Sequence, residues 1–180
     1  MKHVLVIISI SCLLLAALSP VARAAVFSQG EGRVNMQGAI IDTACAIATE
    51  SREQIIDIDI TSMGEITRQG KGRDRSFAIK LINCILERPS KELPDWKQFQ
   101  VTFDGEADGD LFGVHGEAGG VAIMIYDEQG NVALPGEPLP ASAIIPGDMT
   151  LKYSMTLVSN NQPFKAGSFS SAVRFKLDYY

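Results

Sequence analysis

The chain has 180 residues, 46% of them apolar, with 16 Lys+Arg against 21 Asp+Glu and a formal net charge of −5. An acidic balance does not suit nucleic acid or an anionic membrane surface, which attract basic proteins. Beyond the N-terminal segment, no apolar run approaches the ~20 residues needed to span a bilayer as a helix.

Lys2 and His3 precede an apolar run, Val4 to Leu18, and Ala22-Arg23-Ala24 supplies small residues where a signal peptidase reads. This layout predicts a cleaved secretory signal over residues 1–24. Cleavage removes Lys2 and Arg23 and leaves 14 basic against 21 acidic residues, a balance of −7. It also removes Cys12, so Cys45 and Cys84 remain as an even pair in an oxidising compartment. A structural disulfide is the expectation. Closing a loop of that length stabilises by roughly 4 kcal/mol.

The rest of the chain alternates with period two. Residues 33–41 set Val34 and Met36 against Arg33, Asn35 and Gln37. Residues 54–60 set Ile56, Ile58 and Ile60 against Asp57 and Asp59. Further strands are predicted at 76–82 (Phe77, Ile79 and Leu81 inward), 99–103, 121–126 and 151–158. The last, at 173–179, carries Val173, Phe175, Leu177 and Tyr179 on one face. Ser62–Asp74, with Gly64, Gly70 and Gly72, reads as a long loop with one helical turn, and Asp127–Asn131 as a hairpin turn. Short alternating strands with turn signals point to an all-β, immunoglobulin-like sandwich. The last strand runs to Tyr180 with no tail, which implies that it is held, since termini otherwise fray.

The residues argue against catalysis. His115 is the single histidine left after cleavage, and no nucleophile–base constellation accompanies it. Asp57 and Asp59 read as the solvent face of an amphipathic strand. Asp104 to Asp110 begins like a calcium loop, but its closing bidentate Glu is replaced by His115, so no metal is expected. Trp96 either anchors a partner or caps one end of the core, and the second reading is favoured because no second aromatic or polar cluster accompanies it. No cofactor is expected.

Three segments carry a resemblance. Gly32-Arg-Val-Asn-Met-Gln-Gly-Ala-Ile-Ile-Asp-Thr-Ala-Cys45, Phe77-Ala-Ile-Lys-Leu-Ile-Asn-Cys84 and Gly167–Tyr179 resemble, in order and at family spacing, the fimbrial subunits of chaperone–usher pili, the group of type 1 and P pilins. The resemblance implies an incomplete immunoglobulin-like sandwich that lacks its final strand and is completed by a donated one. It implies donor-strand exchange supporting adhesion, and export through the periplasm to the fimbrium at the bacterial surface. The implied partners are a periplasmic chaperone, an outer-membrane usher and neighbouring subunits, with no direct membrane insertion. On this reading residues 25–32 are the donor extension and 33–180 the pilin domain. Val173, Phe175, Leu177 and Tyr179 line the acceptor groove, and the chaperone grips Tyr180. If the arm keeps the parity of Val34 and Met36, its inward positions are Val26, Ser28, Gly30 and Gly32; the opposite parity gives Phe27, Gln29, Glu31 and Arg33, and each set holds one bulky apolar side chain. Each missing apolar peg forfeits about 1.5–3 kcal/mol of burial. That poverty favours a minor subunit (base terminator, linker or tip) over the rod. The alternative is a glycan-binding adhesive module of the fimbrial tip.

Overall fold

In chain order the strands are β1 (Ala46–Ile47), β2 (Arg75–Cys84), β3 (Gln98–Gly105), β4 (Ala107–Asp108), β5 (Leu111–Phe112) and β6 (His115–Gly116). They continue with β7 (Val121–Asp127), β8 (Val132–Ala133), β9 (Ser142–Ala143), β10 (Gly147–Ser159), β11 (Phe169–Ser170) and β12 (Val173–Tyr179). They come from a computed structural model that describes residues 32–38, 42–59 and 61–180. The predicted signal, most of the predicted donor extension, residues 39–41 and Ile60 lie outside the described residues.

The larger sheet has seven strands in the order β1-β2-β10-β7-β5-β4, with β8 also on β7. The smaller runs β12-β3-β9, and β11 and β6 form a two-stranded ribbon. All pairings are antiparallel. β10 pairs with β2 over Tyr153↔Phe77 and Leu151↔Ile79, and with β7 over Leu157↔Ile123 and Met155↔Ile125. This register puts one apolar row from each strand on the same face, and a slip of one residue would turn every row outward. Ile79 and Leu81 are fully buried as the alternation predicts, as are Ile125 of β7 and Leu157 of β10.

The sheets meet through aromatic side chains. Phe103 of β3 packs edge-on against Tyr153 of β10 at 5.0 Å and against Phe77 of β2 at 6.1 Å. Phe77 stacks on Tyr153 at 5.5 Å. Edge-to-face pairs of this kind contribute about 0.5–1.5 kcal/mol beyond their burial.

At the far end Cys45 and Cys84 form the expected disulfide, their Cα atoms 4.1 Å apart. The bridge sits where β1 leaves β2 and is flanked by a bond from Ile85 N–H to the Ala44 carbonyl at 2.8 Å. Asn83, one residue earlier, has φ 54° and its N–H donates to the Asp148 carboxylate. Asparagine is one of the few side chains that tolerates this left-handed conformation.

The loop expected at 62–74 holds more helix than one turn, Met63–Gln69. Ser62 accepts from the Glu65 N–H at 3.1 Å, and Gly70 closes the helix at φ 77° with its N–H on the Ile66 carbonyl. Ser-x-x-Glu and a terminal glycine are local start and stop signals. Ile66 plugs the helix into the core, and Thr156, fully buried beneath, donates to the Gly72 carbonyl. The predicted hairpin is present: the Asp127 carboxylate accepts from the N–H groups of Gln129 and Asn131, and Gly130 takes φ 85°.

Of the strands predicted at 33–41 and 54–60, the described parts are not strands. Residues 32–38 have no ladder partner among the described residues, and Val34 and Met36 are 82% and 88% exposed. Residues 54–59 keep their alternation, with Ile56 and Ile58 partly buried and Asp57 and Asp59 exposed, but make no ladder. Side chains hold that segment instead. Gln54 donates to the Ala78 carbonyl, and Arg75 donates to the Asp57 carbonyl and the Asp59 carboxylate. Alternation reports which face is apolar. It does not say whether a neighbouring strand is at hand.

Candidate functional site

β12 is where the fold stops short. It pairs with β3 from Val173↔Gly105 to Tyr179↔Phe99, and among the described residues it has no partner on its other edge. Its N–H and C=O groups on that side form an open template of the kind that accepts another strand.

The side chains show the same incompleteness. On the inward face of β3, Phe99, Val101 and Phe103 are 2–3% exposed. Their register partners Tyr179, Leu177 and Phe175, together with Val173, pack against that core but stay only partly buried. Same face and same chemistry, one strand further out: the difference is that β12 has cover on one side alone. The outward face carries Arg174, Lys176 and Asp178, with Arg174 on Asp104 at 3.0 Å and Lys176 on Asp178 at 3.0 Å. Partial burial pushes the Tyr179 phenol above its ordinary value of 10.

The end of β12 is fixed through the main chain. The Tyr180 carbonyl oxygen accepts from the N–H groups of Lys97 and Gln98, and Tyr180 N–H donates to Gln98. The Tyr180 side chain is 60% exposed. The expectation of a held terminal strand is met by these bonds to the start of β3.

The structure thus brings Val173, Phe175, Leu177 and Tyr179 into one row, and leaves Tyr180 at its end. Of the expected arm residues, Val26, Ser28 and Gly30 lie outside the described residues, and Gly32 is exposed.

The residues weighed for chemistry are engaged elsewhere. His115 Nε2 lies 2.8 Å from the Glu106 carboxylate, both side chains exposed. Asp104 pairs with Arg174, and Asp108 accepts from Asn160 at 2.6 Å. A hollow of about 500 Å³ opens across β2, β10 and β7, lined by Phe77, Tyr126, Lys152 and Tyr153. No residue of β12 borders it, and a missing strand is an open edge that a cavity volume does not capture.

One cluster escaped the sequence reading. Trp96 does cap the core, 9% exposed. Arg88 stacks on its ring at 3.7 Å and reaches Asp42 at 2.6 Å, while the ring edge meets Tyr179 at 6.0 Å. Contacts across an irregular loop leave no periodic signal, so an isolated Arg ahead of a Trp carried none.

Comparison with known proteins completes the picture. The family model described as "Fimbrial protein" matches residues 34–180. The "PRS fimbrial minor pilin protein" of Escherichia coli is 30% identical over 151 residues, covering 83% of this chain and 77% of its own. The "Fimbria A protein" of Serratia marcescens is 32% identical over 177 residues, covering 96% and 97%. Among solved structures, the P pilus rod subunit PapA superposes with a TM-score of 0.66 at 22% identity, over 77% of this chain and all of that one.

Proposed function

Since the chain belongs to the fimbrial protein family and is a structural, non-enzymatic pilin subunit of the chaperone–usher class, we propose that it enters its fibre by donor-strand exchange, as a minor subunit. The groove along β12 takes a strand from the periplasmic chaperone during export, and the usher then admits the arm of a neighbouring subunit in its place. The observation that carries this reading is the contrast between two paired rows: β3's inward side chains fully buried, β12's partly open beside an unpaired edge. A visiting strand supplies both missing components, main-chain bonds for the edge and alternating side chains for the groove.

The outgoing arm is longer on this reading than the sequence suggested. Val34 and Met36 alternate with polar residues, are almost fully exposed, and belong to no sheet among the described residues. Two exposed apolar residues at strand spacing suit a partner's groove, at about 1.5–3 kcal/mol for each side chain buried. We place the donor segment through Gly38, beyond the limit expected at Gly32. The poverty of residues 25–32 then no longer bears on the subunit's place in the fibre. The minor assignment is supported by the minor pilins among the relatives.

The test is to supply the missing strand. A copy of residues 32–42 joined after Tyr180 through a flexible linker is expected to turn an aggregating, protease-sensitive chain into a soluble monomer with a cooperative thermal transition. The same linker with Val34 and Met36 replaced by Asp is expected to fail. A stable monomer without any added strand or chaperone would remove the basis of the proposal.

A further inference from the structure

The hollow on the larger sheet has a polar lining that strand exchange does not use. Ser76, Ser154 and Tyr126 stand side by side, since Ser154 is in register with Ser76 of β2 and with Tyr126 of β7. Their sequence neighbours Phe77, Tyr153 and Ile125 belong to the core or pack against it, so alternation turns these three to the outer face. Ala78 and Lys152 form the next pair on that face. The depression arises because Ser76, Ala78 and Ser154 are short, while Tyr126, Lys152 and Glu128 around them are long.

Ordered elements bound it. At one end the loop after the helix Met63–Gln69 covers the sheet. Thr156 donates to the Gly72 carbonyl there at 3.0 Å, and Asp74 lies within hydrogen-bond reach of the Tyr126 hydroxyl. Burial, and then that carboxylate, hold the Tyr126 phenol above its ordinary value of 10. Beside β7 the boundary is the hairpin turn, whose Asp127 carboxylate is taken up by Gln129 and Asn131. From that turn Glu128 reaches Lys152 at 3.3 Å. Beside β2, Gln54 ties the 54–59 segment to the Ala78 carbonyl. On the floor the Ser76 and Ser154 hydroxyls are 3.3 Å apart. Each hydroxyl has further donor or acceptor capacity to offer.

We propose that this hollow is a shallow binding site for a neutral saccharide. A sugar ring has C–H groups on its faces and hydroxyls around its rim. The Tyr126 ring suits the first, and the Ser76 and Ser154 hydroxyls, the Glu128 carboxylate and the Lys152 ammonium suit the second. A volume of about 500 Å³ has room for a short oligosaccharide. Charge selects against acidic sugars and phosphate, because the carboxylates of Asp74, Asp127 and Glu128 outnumber the ammonium groups of Lys71 and Lys152 around the rim. The lining is open to water, so every contact replaces a hydrated one and a single site binds weakly. No residue of β12 takes part, and the inference stands apart from strand exchange.

The test uses the fluorescently labelled mature chain, dilute enough to stay dispersed, on an array of immobilised neutral, sialylated and sulfated oligosaccharides. Retention on at least one neutral oligosaccharide is expected, and the same sugar in solution should compete it away. Tyr126→Ala removes the wall and Ala78→Leu fills the floor, and each is expected to lower retention about tenfold. Lys152→Ala alters a side chain that is 62% exposed, so the fold stays intact and a loss of retention reports the site itself. Lys176→Ala, on the outer face of the smaller sheet, should change nothing. Retention on no glycan, retention on acidic glycans alone, or retention that Tyr126→Ala, Ala78→Leu and Lys152→Ala all leave unaltered would each overturn the assignment.

Discussion

Phe103 and Phe175 face one another across the β3–β12 ladder with ring centroids 6.4 Å apart, yet Phe103 is 2% exposed and Phe175 is only partly buried. Two identical side chains in register thus have different roles. Phe103 is already in contact with both sheets. Phe175 has one side free.

That difference predicts opposite mutational profiles. Phe103→Ala is expected to destabilise the chain by about 3–5 kcal/mol, the range for a buried Phe truncated in a packed core. Phe175→Ala should cost the isolated fold less than half of that, but should lower the yield of the chaperone complex. Denaturant unfolding of the chain without an added strand, at a concentration low enough to keep it dispersed, measures both stability losses, and co-purification with the chaperone measures the effect of Phe175→Ala on binding. Equal stability losses at the two positions would contradict the asymmetry.

The arm and the groove should fail independently. Met36→Glu changes a side chain that is 88% exposed, so body stability is expected to stay within about 0.5 kcal/mol of wild type. Chaperone binding should persist while insertion into a neighbour's groove is lost. Leu177→Glu should do the reverse, blocking acceptance of a strand and leaving the arm able to donate. An in vitro strand-exchange assay with each variant as donor and as acceptor separates the two.

The disulfide should matter most before assembly. Replacing Cys45 and Cys84 together with Ala is expected to cost about 4 kcal/mol, the loop-closure value for a crosslink spanning 39 residues. The variant should be recovered poorly from the periplasm. A completed, strand-bound form should tolerate the same change better, since its groove adds burial the free subunit lacks. Thermal denaturation with and without reductant measures both states.

Stability should fall at alkaline pH. Burial raises the phenol of Tyr153, with the Asp127 carboxylate adding to it, and burial raises that of Tyr179. A phenol whose folded pKa lies above its unfolded value near 10 contributes stability that is fully present below pH 10. That stability is lost as pH rises and the unfolded chain ionises first. For the well-buried Tyr153 the slope approaches about 1.4 kcal/mol per pH unit above pH 10. Melting temperatures between pH 8 and 11 should be level at first and then decline, and Tyr153→Phe should flatten the decline. A wild-type profile that is level to pH 11 would contradict this.

Much of the molecule was legible in the chain. β2, β7, β10 and β12 appear where Phe77–Leu81, Val121–Tyr126, Leu151–Leu157 and Val173–Tyr179 alternate, because a half-buried strand needs period two and shows it. The Cys45–Cys84 pair followed from counting thiols after the signal. The strands expected at 33–41 and 54–60 are not seen over 33–38 and 54–59, where alternation is equally clear but no strand partner is present among the described residues. It was blind to Arg88, whose partners Asp42 and Trp96 lie 46 and 8 residues away without any period.

The sequence by itself determined which residues are apolar on one face, where the turns fall and which cysteines pair. These depend on local geometry and on counting. Tertiary structure alone decided which apolar rows find cover. Val101 and Leu177 belong to alternating segments of the same kind, and only the placement of β3 between β12 and β9, with the larger sheet beneath it, buries the first and leaves the second waiting. Burial is a property of what lies on both sides of a strand. For β12 one of those sides carries no strand among the described residues.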